Sequence, residues 1–355
     1  MIFLHTIPFK FSGSTSSPKN IAREKEIRLV LLGKTGSGKS ATGNTIIGTK
    51  KFASTLSGSS ITRTCSQNSA VRFQRKIVIV DTPGIFDTEE DNETIQNEIY
   101  KCVGISSPGP HAFILVLNLA ARFTEEEERS VQHFITYFGE HAYKYFIVLF
   151  TRKDELDDHD MTLHDHIKKC PPRQQNFVQK CGGRTIAFNN KLKGKDQNEQ
   201  VQELLNMVLQ NVQAKGGQWY TNEMYQKAEE EIQKVEAEKL RKEKEIRQKE
   251  LDRIAEEYNK KMKKEEEKMH ELQKQLNELK QMKEDDSKKQ YLVLLESQKE
   301  MQRQFEENMK MQEEEKQKLE EKFQQEMENQ AVIIRDRTRT EIAQKKSWYQ
   351  SCTIS

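Results

Sequence analysis

The sequence predicts an α/β fold, a doubly wound and mostly parallel sheet, followed by a long charged helix or interrupted coiled coil. Three observations carry this. A Gly-rich loop stands between a short apolar run and a helix-compatible stretch over residues 27–47. Four more short apolar runs recur before residue 191, separated by helical or turn-rich chain. All 16 Gly and 7 Pro lie at or before Gly217, which leaves the last 138 residues without a helix breaker.

Residues 1–24 are expected to form a disordered leader. They begin mildly apolar (MIFLHTIPFKF), but no basic segment precedes that run and Pro8 interrupts it, which argues against a signal peptide. Ile27–Leu32 reads as a buried strand that ends in GKTGSGKS. Strand, Gly-rich loop and helix together are the setting of a phosphate-binding loop. Its stretch is Gly33, Lys34, Thr35, Gly36, Ser37, Gly38, Lys39, Ser40 and Ala41. The glycines let backbone N–H groups curl toward phosphates, and the following helix adds its positive end. Lys39 is placed to neutralise β- and γ-phosphates, and Ser40 to ligate Mg²⁺.

Lys76–Val80 is a second buried strand, ending in Asp81-Thr82-Pro83-Gly84. A carboxylate at a strand end can hold Mg²⁺ through water, and Gly84 offers an open N–H to a γ-phosphate. Ala112–Leu117 and Phe146–Phe150 are the third and fourth strands. The fourth runs into Thr151-Arg152-Lys153-Asp154, a variant of the Asn-Lys-x-Asp loop that reads guanine. The Asp154 carboxylate can accept from guanine N1–H and the 2-amino group, and adenine would leave it unpaired. Thr151 stands where Asn is usual, and the Arg152 stem can lie over the base. Arg184–Asn190 is the last strand, and Ala187 and Asn189 at its end are candidates for the base pocket. Gln197–Val212 repeats apolar residues at helical spacing and closes the domain.

Gly216-Gly217 marks the change of composition and is expected to release the tail. From Thr221 to Gln330, 56 of 110 residues are charged, and strong helix formers dominate. A continuous helix over this tail would be on the order of 180 Å long. Its apolar seam is patchy, so an interrupted coiled coil is expected, with a solvated single helix as the alternative. Glu284–Lys289 is the least helical stretch and a candidate bend into an antiparallel hairpin. Arg335, Arg337, Arg339, Lys345 and Lys346 make the end basic, and Cys352-Thr353-Ile354-Ser355 has the form of a farnesylation box. One lipid with a basic stretch would suit an anionic membrane surface.

The remaining bulk numbers exclude more than they assign. The net charge of +2 is not the basic field of a nucleic-acid binder. Five scattered Cys without metal-ligand spacing point to a reducing, cytoplasmic setting without structural disulfides or zinc. No apolar run approaches a membrane span. The expected divisions are a leader (1–24), a nucleotide-binding domain (25–217), a coiled-coil tail (218–334) and a basic end (335–355).

Taken together, these motifs are similar to the GIMAP (immunity-associated, AIG-type) GTPases. The resemblance spans about Ile27–Trp219 and rests on GKTGSGKSATGN, Ser60-Ile61-Thr62 up to Cys65, DTPGIFDT, GPHAFILVLNLAARFTEEE, LFTRKDEL and RTIAFNN. It implies GTP or GDP with Mg²⁺, and G domains that form a homodimer in the GTP state. By motif position it makes Thr62 the threonine whose hydroxyl reaches Mg²⁺ in the GTP form. Ala121 stands where a Gly is common in the family.

Gly84 is followed by Ile85-Phe86-Asp87-Thr88, with no Gln to orient a water, so hydrolysis is expected to be slow unless another group assists. The family suggests an arginine acting across the dimer, and Arg122 is the candidate catalytic residue beside Lys39. The competing reading gives Arg122 a salt bridge or cap at the acidic helix that begins near Thr124, where Thr124 and Glu127 form a capping box. The expected function is therefore a guanine-nucleotide switch whose tail serves assembly or a coiled-coil partner. The alternative is a septin-like scaffold with a static nucleotide. A long-coil ATPase is disfavoured by Thr151–Asp154.

Overall fold

Runs of β-branched and aromatic residues long enough for strands but too short for helices build the centre of this protein. The computed structural model describes residues 26–53, 64–83, 92–121, 123–281, 285–345 and 348–349. In chain order they form β1 (Glu26–Leu32), α1 (Lys39–Ile47), β2 (Ser66–Arg72), β3 (Arg75–Asp81), α2 (Asn92–Ser106) and β4 (Ala112–Asn118). Then come α3 (Glu125–Phe138), β5 (Phe146–Thr151), α4 (Asp154–Asp157), α5 (Leu163–Lys169), α6 (Pro172–Lys180) and β6 (Thr185–Phe188). The chain ends in α7 (Gly194–Gln213), α8 (Glu223–Gln281) and α9 (Asp285–Gln344). The expected leader falls outside the described residues.

The strands make one six-stranded sheet in the order β2-β3-β1-β4-β5-β6. All neighbours are parallel except β2 and β3. Side chains alternate across each strand, so both faces need cover. On one face Leu29, Leu31, Ile77, Ile114 and Leu149 pack with Ile46 of α1 and with Val201, Leu204 and Val208 of α7. On the other, Phe113 meets Phe134 and Phe138 of α3, at 5.3 and 5.4 Å between ring centroids. The mostly parallel, doubly wound sheet is the expected one.

Strand β2 was not expected. Its sequence, SQNSAVR, is polar and only half-buried at the sheet edge. The turn joining it to β3 uses Phe73 and Gln74, both with positive φ (50° and 60°). Two-residue hairpins usually announce themselves by Asn or Gly at those places, and this one does not.

The chain divides into two units, Met1–Lys234 with Asp336–Ser355, and Val235–Arg335. The first does not stop at Gly217, as composition suggested. Tyr220, Met224, Tyr225, Ala228 and Ile232 are buried. Tyr220 meets Phe113 at 5.2 Å, and the Tyr225 hydroxyl lies 2.8 Å from Ser106 Oγ. Each buried aromatic of this kind is worth about 1.5–3 kcal/mol, enough to hold the start of α8 in place.

The first unit also takes back the C-terminal end. Gly104 of α2 lies against Ala343 of α9, where an added Cβ would stand 2.9 Å from the Ala343 Cα. Tyr349 stacks on Tyr100 at 4.3 Å, and Trp348 meets the same ring edge-on at 5.9 Å. The Glu26 carboxylate is shared by Arg28 (2.9 Å), Arg339 (3.0 Å) and Lys76 (3.1 Å), and Lys76 also pairs with Asp336 at 2.7 Å. Two of the five basic residues expected to make the end basic are therefore used inside the protein. Arg339 is buried on Glu26, and Arg335 is buried on Glu236 at 2.8 Å, because each meets a carboxylate far away in sequence. Arg337 and Lys345 remain exposed. Cys352 lies outside the described residues.

The second unit is an antiparallel pair of helices, which replaces the single continuous rod. Arg247 pairs with Glu326 at 2.5 Å, Tyr258 donates to Glu315 at 2.6 Å, and Gln298 donates to Gln273. Each step up α8 is a step down α9. Of the expected bend at Glu284–Lys289, Glu284 lies outside the described residues, and Asp285–Lys289 form the first turn of α9 instead. Leu240, Met262 and Leu276 are buried between many polar positions, so the apolar seam is as patchy as the sequence suggested. Among the described residues no helix is long and apolar enough to cross a membrane.

The cluster at Glu26 gives a pH signature. Burial alone would raise its pKa, but Arg339, Arg28 and Lys76 hold the carboxyl well below the usual carboxylate range. A depressed folded-state pKa contributes stability above the unfolded value, and that stability is lost as pH falls toward the folded one. Glu26→Gln is expected to cost about 3–5 kcal/mol at pH 7, by leaving buried guanidinium groups without their carboxylate. Thermal melts at pH 7 and pH 3 check this. The gap from wild type should narrow at pH 3, and a gap independent of pH would contradict the assignment.

Candidate functional site

The site lies beyond the C-terminal ends of β1, β3, β5 and β6. At the close of β1 the chain must turn under the carbonyl of Val116. Gly33 has φ 143°, and a Cβ there would stand 2.5 Å from that oxygen, so only glycine fits. Gly36 and Gly38 also take positive φ, 80° and 99°. Gly38 begins α1 with no side-chain cap, which leaves the helix start to a ligand of negative charge.

Curling the loop this way turns carbonyls inward, and side chains meet them. Lys39 Nζ donates to Gly33 O at 2.8 Å and to Lys34 O at 3.0 Å. Thr151 Oγ1 donates to Ser37 O at 2.8 Å, with Leu117 O 3.3 Å away. The residue that departs from the usual Asn thus fastens the end of β5 to the Gly-rich loop. Lys34 reaches back to Glu127 at 3.6 Å, and Glu127 completes the expected capping box with Thr124. The acidic run therefore does more than cap its helix.

Ser40 Oγ donates to Asp81 Oδ2 at 2.7 Å, and Asp81 is buried at the end of β3. Hydroxyl and carboxylate stand together as a divalent cation on a phosphate chain would need them, next in the chain to Lys39. Ser40 would bind such an ion directly and Asp81 through water. Thr82 Oγ1 donates to Leu31 O at 2.7 Å and ties the end of β3 to β1.

Past β5, Arg152 takes φ 65° and pairs with Glu155 at 3.1 Å, so its head points to its own helix. Lys153 N donates to Phe188 O at 3.0 Å. Asp154 Oδ2 accepts from Lys191 Nζ at 2.7 Å, and that hydrogen bond holds the carboxyl below its usual range, hence charged. Asn189 stands at the rim, its Oδ1 accepting from Lys191 N at 2.9 Å and its backbone bound to Gln200. Ala187 lies half-buried in β6. Sequence reasoning missed Asn190, which donates to Thr42 Oγ1 (3.1 Å) and accepts from Thr45 Oγ1 (2.8 Å). Its signal was the second Asn of RTIAFNN. Thr62, Gly84 and Arg122 fall outside the described residues. Beside Arg122, Ala121 N donates to Asn118 O at 3.0 Å and Phe123 is buried.

Thr151→Val keeps the shape of the side chain but leaves Ser37 O without its buried donor. The expected loss is about 1–3 kcal/mol of stability. Denaturant titration of the two chains checks it, and an unchanged midpoint would remove Thr151 as the fastening between the loops.

Comparison with known proteins agrees with the layout of the first unit. The pattern of the AIG1 family matches residues 27–239. Immune-associated nucleotide-binding protein 10 of Arabidopsis thaliana is 38% identical over 206 residues, 57% of this chain and 44% of that protein. GTPase IMAP family member 8 of Homo sapiens is 41% identical over 198 residues, 56% of this chain and 29% of that one. The chain thus spans less than two thirds of the length of these relatives. The solved structure of Toc33 from Arabidopsis thaliana in complex with GDP and Mg²⁺ is similar at a TM-score of 0.40 and 16% identity, over 54% of this chain and 86% of that one. With the family pattern covering more than half of its residues, the chain belongs to the AIG1 family.

Proposed function

We propose that this protein is a guanine-nucleotide switch with slow, dimer-dependent GTP hydrolysis. The observation that carries the reading is the Ser40–Asp81 pair at the end of a loop whose carbonyls are taken by Lys39 and Thr151, the latter three residues before Asp154. GTP or GDP would lay its phosphates over residues 33–41, with Mg²⁺ at Ser40, Asp81 and, in the GTP form, Thr62. Gly84 would meet the γ-phosphate. Asp154 would take two hydrogen bonds from guanine in place of the one it accepts from Lys191. Curated relatives named as nucleotide-binding proteins and GTPases support this.

Lys39 neutralises charge but supplies no water-orienting group, and Ile85-Phe86-Asp87-Thr88 after Gly84 contain no Gln. The missing stabilisation would come from a second copy, with Arg122 as the donated guanidinium. The helical pair Val235–Arg335 would serve assembly or hold a coiled-coil partner. Turnover per molecule is expected to rise with protein concentration, and Arg122→Ala to lower the high-concentration rate about a thousandfold. Phosphate release across a dilution series measures both, alongside light scattering with GDP and with a non-hydrolysable GTP analogue. A rate independent of concentration would remove the dimer from the mechanism.

Cys352 is a candidate farnesyl acceptor at a cytoplasmic membrane surface, with Arg337 and Lys345 as the exposed basic residues nearby. Mass spectrometry of the C-terminal peptide from eukaryotic cells should show the added lipid. An unmodified full-length peptide discards the anchor.

A further inference from the structure

Thr151 stands between the two places that a guanine nucleotide would fill. On the phosphate side, a Cβ on Gly38 at the start of α1 would lie 3.1 Å from the Thr151 methyl carbon. On the base side, Asp154 follows by three residues. Thr151 and Ser37 are both buried, so neither has water to turn to. The Thr151 hydroxyl carries a single hydrogen, and that hydrogen is spent on Ser37 O at 2.8 Å. What remains on Thr151 Oγ1 is lone pairs, which can only accept.

Three more side-chain donors at this rim are spent on the protein itself. Asn190 Nδ2 donates to Thr42 Oγ1 at 3.1 Å, and Gln200 Nε2 donates to Asn189 O at 3.1 Å. The Arg152 guanidinium pairs with Glu155 at 3.1 Å. Lys191 brings an exposed ammonium, and a hydrated charge of this kind discriminates little. Asp154 is the opposite case. It is a carboxylate held in its charged form, so it accepts and does not donate.

Guanine offers donors at N1–H and at its 2-amino group, and bare acceptors at O6 and N7. Asp154 suits the donors. N7 needs a donor, and Thr151 has none left to give. An Asn at this position would carry two N–H donors, enough to serve Ser37 O and N7 together. N7 is also present in adenine, so reading it would add nothing to the choice between the two purines.

We infer that this site reads guanine by its N1–H and 2-amino groups and leaves N7 unread, and that Thr151 sets this by holding its one hydrogen on Ser37 O. This rests on the guanine-nucleotide reading above. The consequence is a defined tolerance. A guanine nucleotide that lacks the N7 nitrogen is bound as well as the natural one, whereas a nucleotide that lacks the 2-amino group is not.

The test is the affinity of the full chain, with Mg²⁺, for three diphosphates: GDP, 7-deazaguanosine diphosphate, in which C–H replaces N7, and inosine diphosphate, which has no 2-amino group. In wild type the 7-deaza compound should bind within about twofold of GDP. Inosine diphosphate should bind at least about tenfold more weakly, because it forgoes a hydrogen bond to a charged acceptor. Thr151→Asn supplies the second donor and should make the 7-deaza compound about fivefold weaker than GDP. Each comparison is a ratio within one protein, so a general loss of affinity in the variant does not imitate the effect, and the wild-type ratios stand even if the variant folds poorly. A wild type that binds the 7-deaza compound more than about twofold more weakly than GDP overturns the inference while leaving the function standing. So does a folded Thr151→Asn that gains no preference for N7. A wild type that binds no guanine nucleotide, or binds inosine diphosphate as well as GDP, overturns the guanine reading and the inference together.

Discussion

The phosphate loop of this protein depends on who takes its inward carbonyls. A backbone curled to present N–H groups on one side must present C=O groups on the other, and a buried carbonyl without a donor is costly. Here Lys39 takes those of Gly33 and Lys34, and Thr151 takes that of Ser37. One donor begins α1 and the other ends β5. The loop is therefore shaped by two elements that the sheet order brings to the same rim. Strand order reverses at β1, with β3 on one side and β4 then β5 on the other, and such a reversal leaves a crevice beyond the strand ends. Asp81 from β3 and Asn190 after β6 reach into the same rim.

Much of this was legible in the sequence, for a physical reason. Motifs such as Gly33–Ser40, Asp81–Gly84 and Thr151–Asp154 are local: neighbours in the chain supply most of the chemistry, so spacing alone carries them. Fully buried parallel strands are legible too, because both faces are apolar. The features that were missed depend on distant partners. Arg339 looks like surface charge until Glu26 is placed beside it. Tyr220 and Tyr225 follow a Gly-Gly pair and resemble the start of a linker until Phe113 and Ser106 are placed beneath them. Strand β2 is an edge strand with one partner, and its half-buried polar side chains follow no strong period. Asn190 differs from Asn189 only in which neighbour its side chain meets.

The charged cluster at Glu26 shows what kind of contact holds the C-terminal end. A single buried ion pair is weak evidence for stability, because desolvation offsets much of the attraction. A carboxylate shared among Arg28, Lys76 and Arg339 behaves differently. Two of its partners lie on the sheet, so it stays compensated whether or not the third is present. The geometry therefore favours a specific docked arrangement over a large gain in free energy. The closer fit comes from Gly104 against Ala343 and from Tyr349 on Tyr100, where shape and not charge sets the contact.

Both the beginning of α8 and the end of α9 belong to the first unit, so the helical pair leaves it and returns to it. The C-terminal segment is thus a ligand tethered to its own receptor. A connection of this kind makes the docking of the segment an intramolecular event, independent of protein concentration. A single cut within Val235–Arg335 would abolish that advantage without touching any contact. The outer face of α2 would then be occupied or bare according to dilution, and the length of chain least like a binding site would govern it.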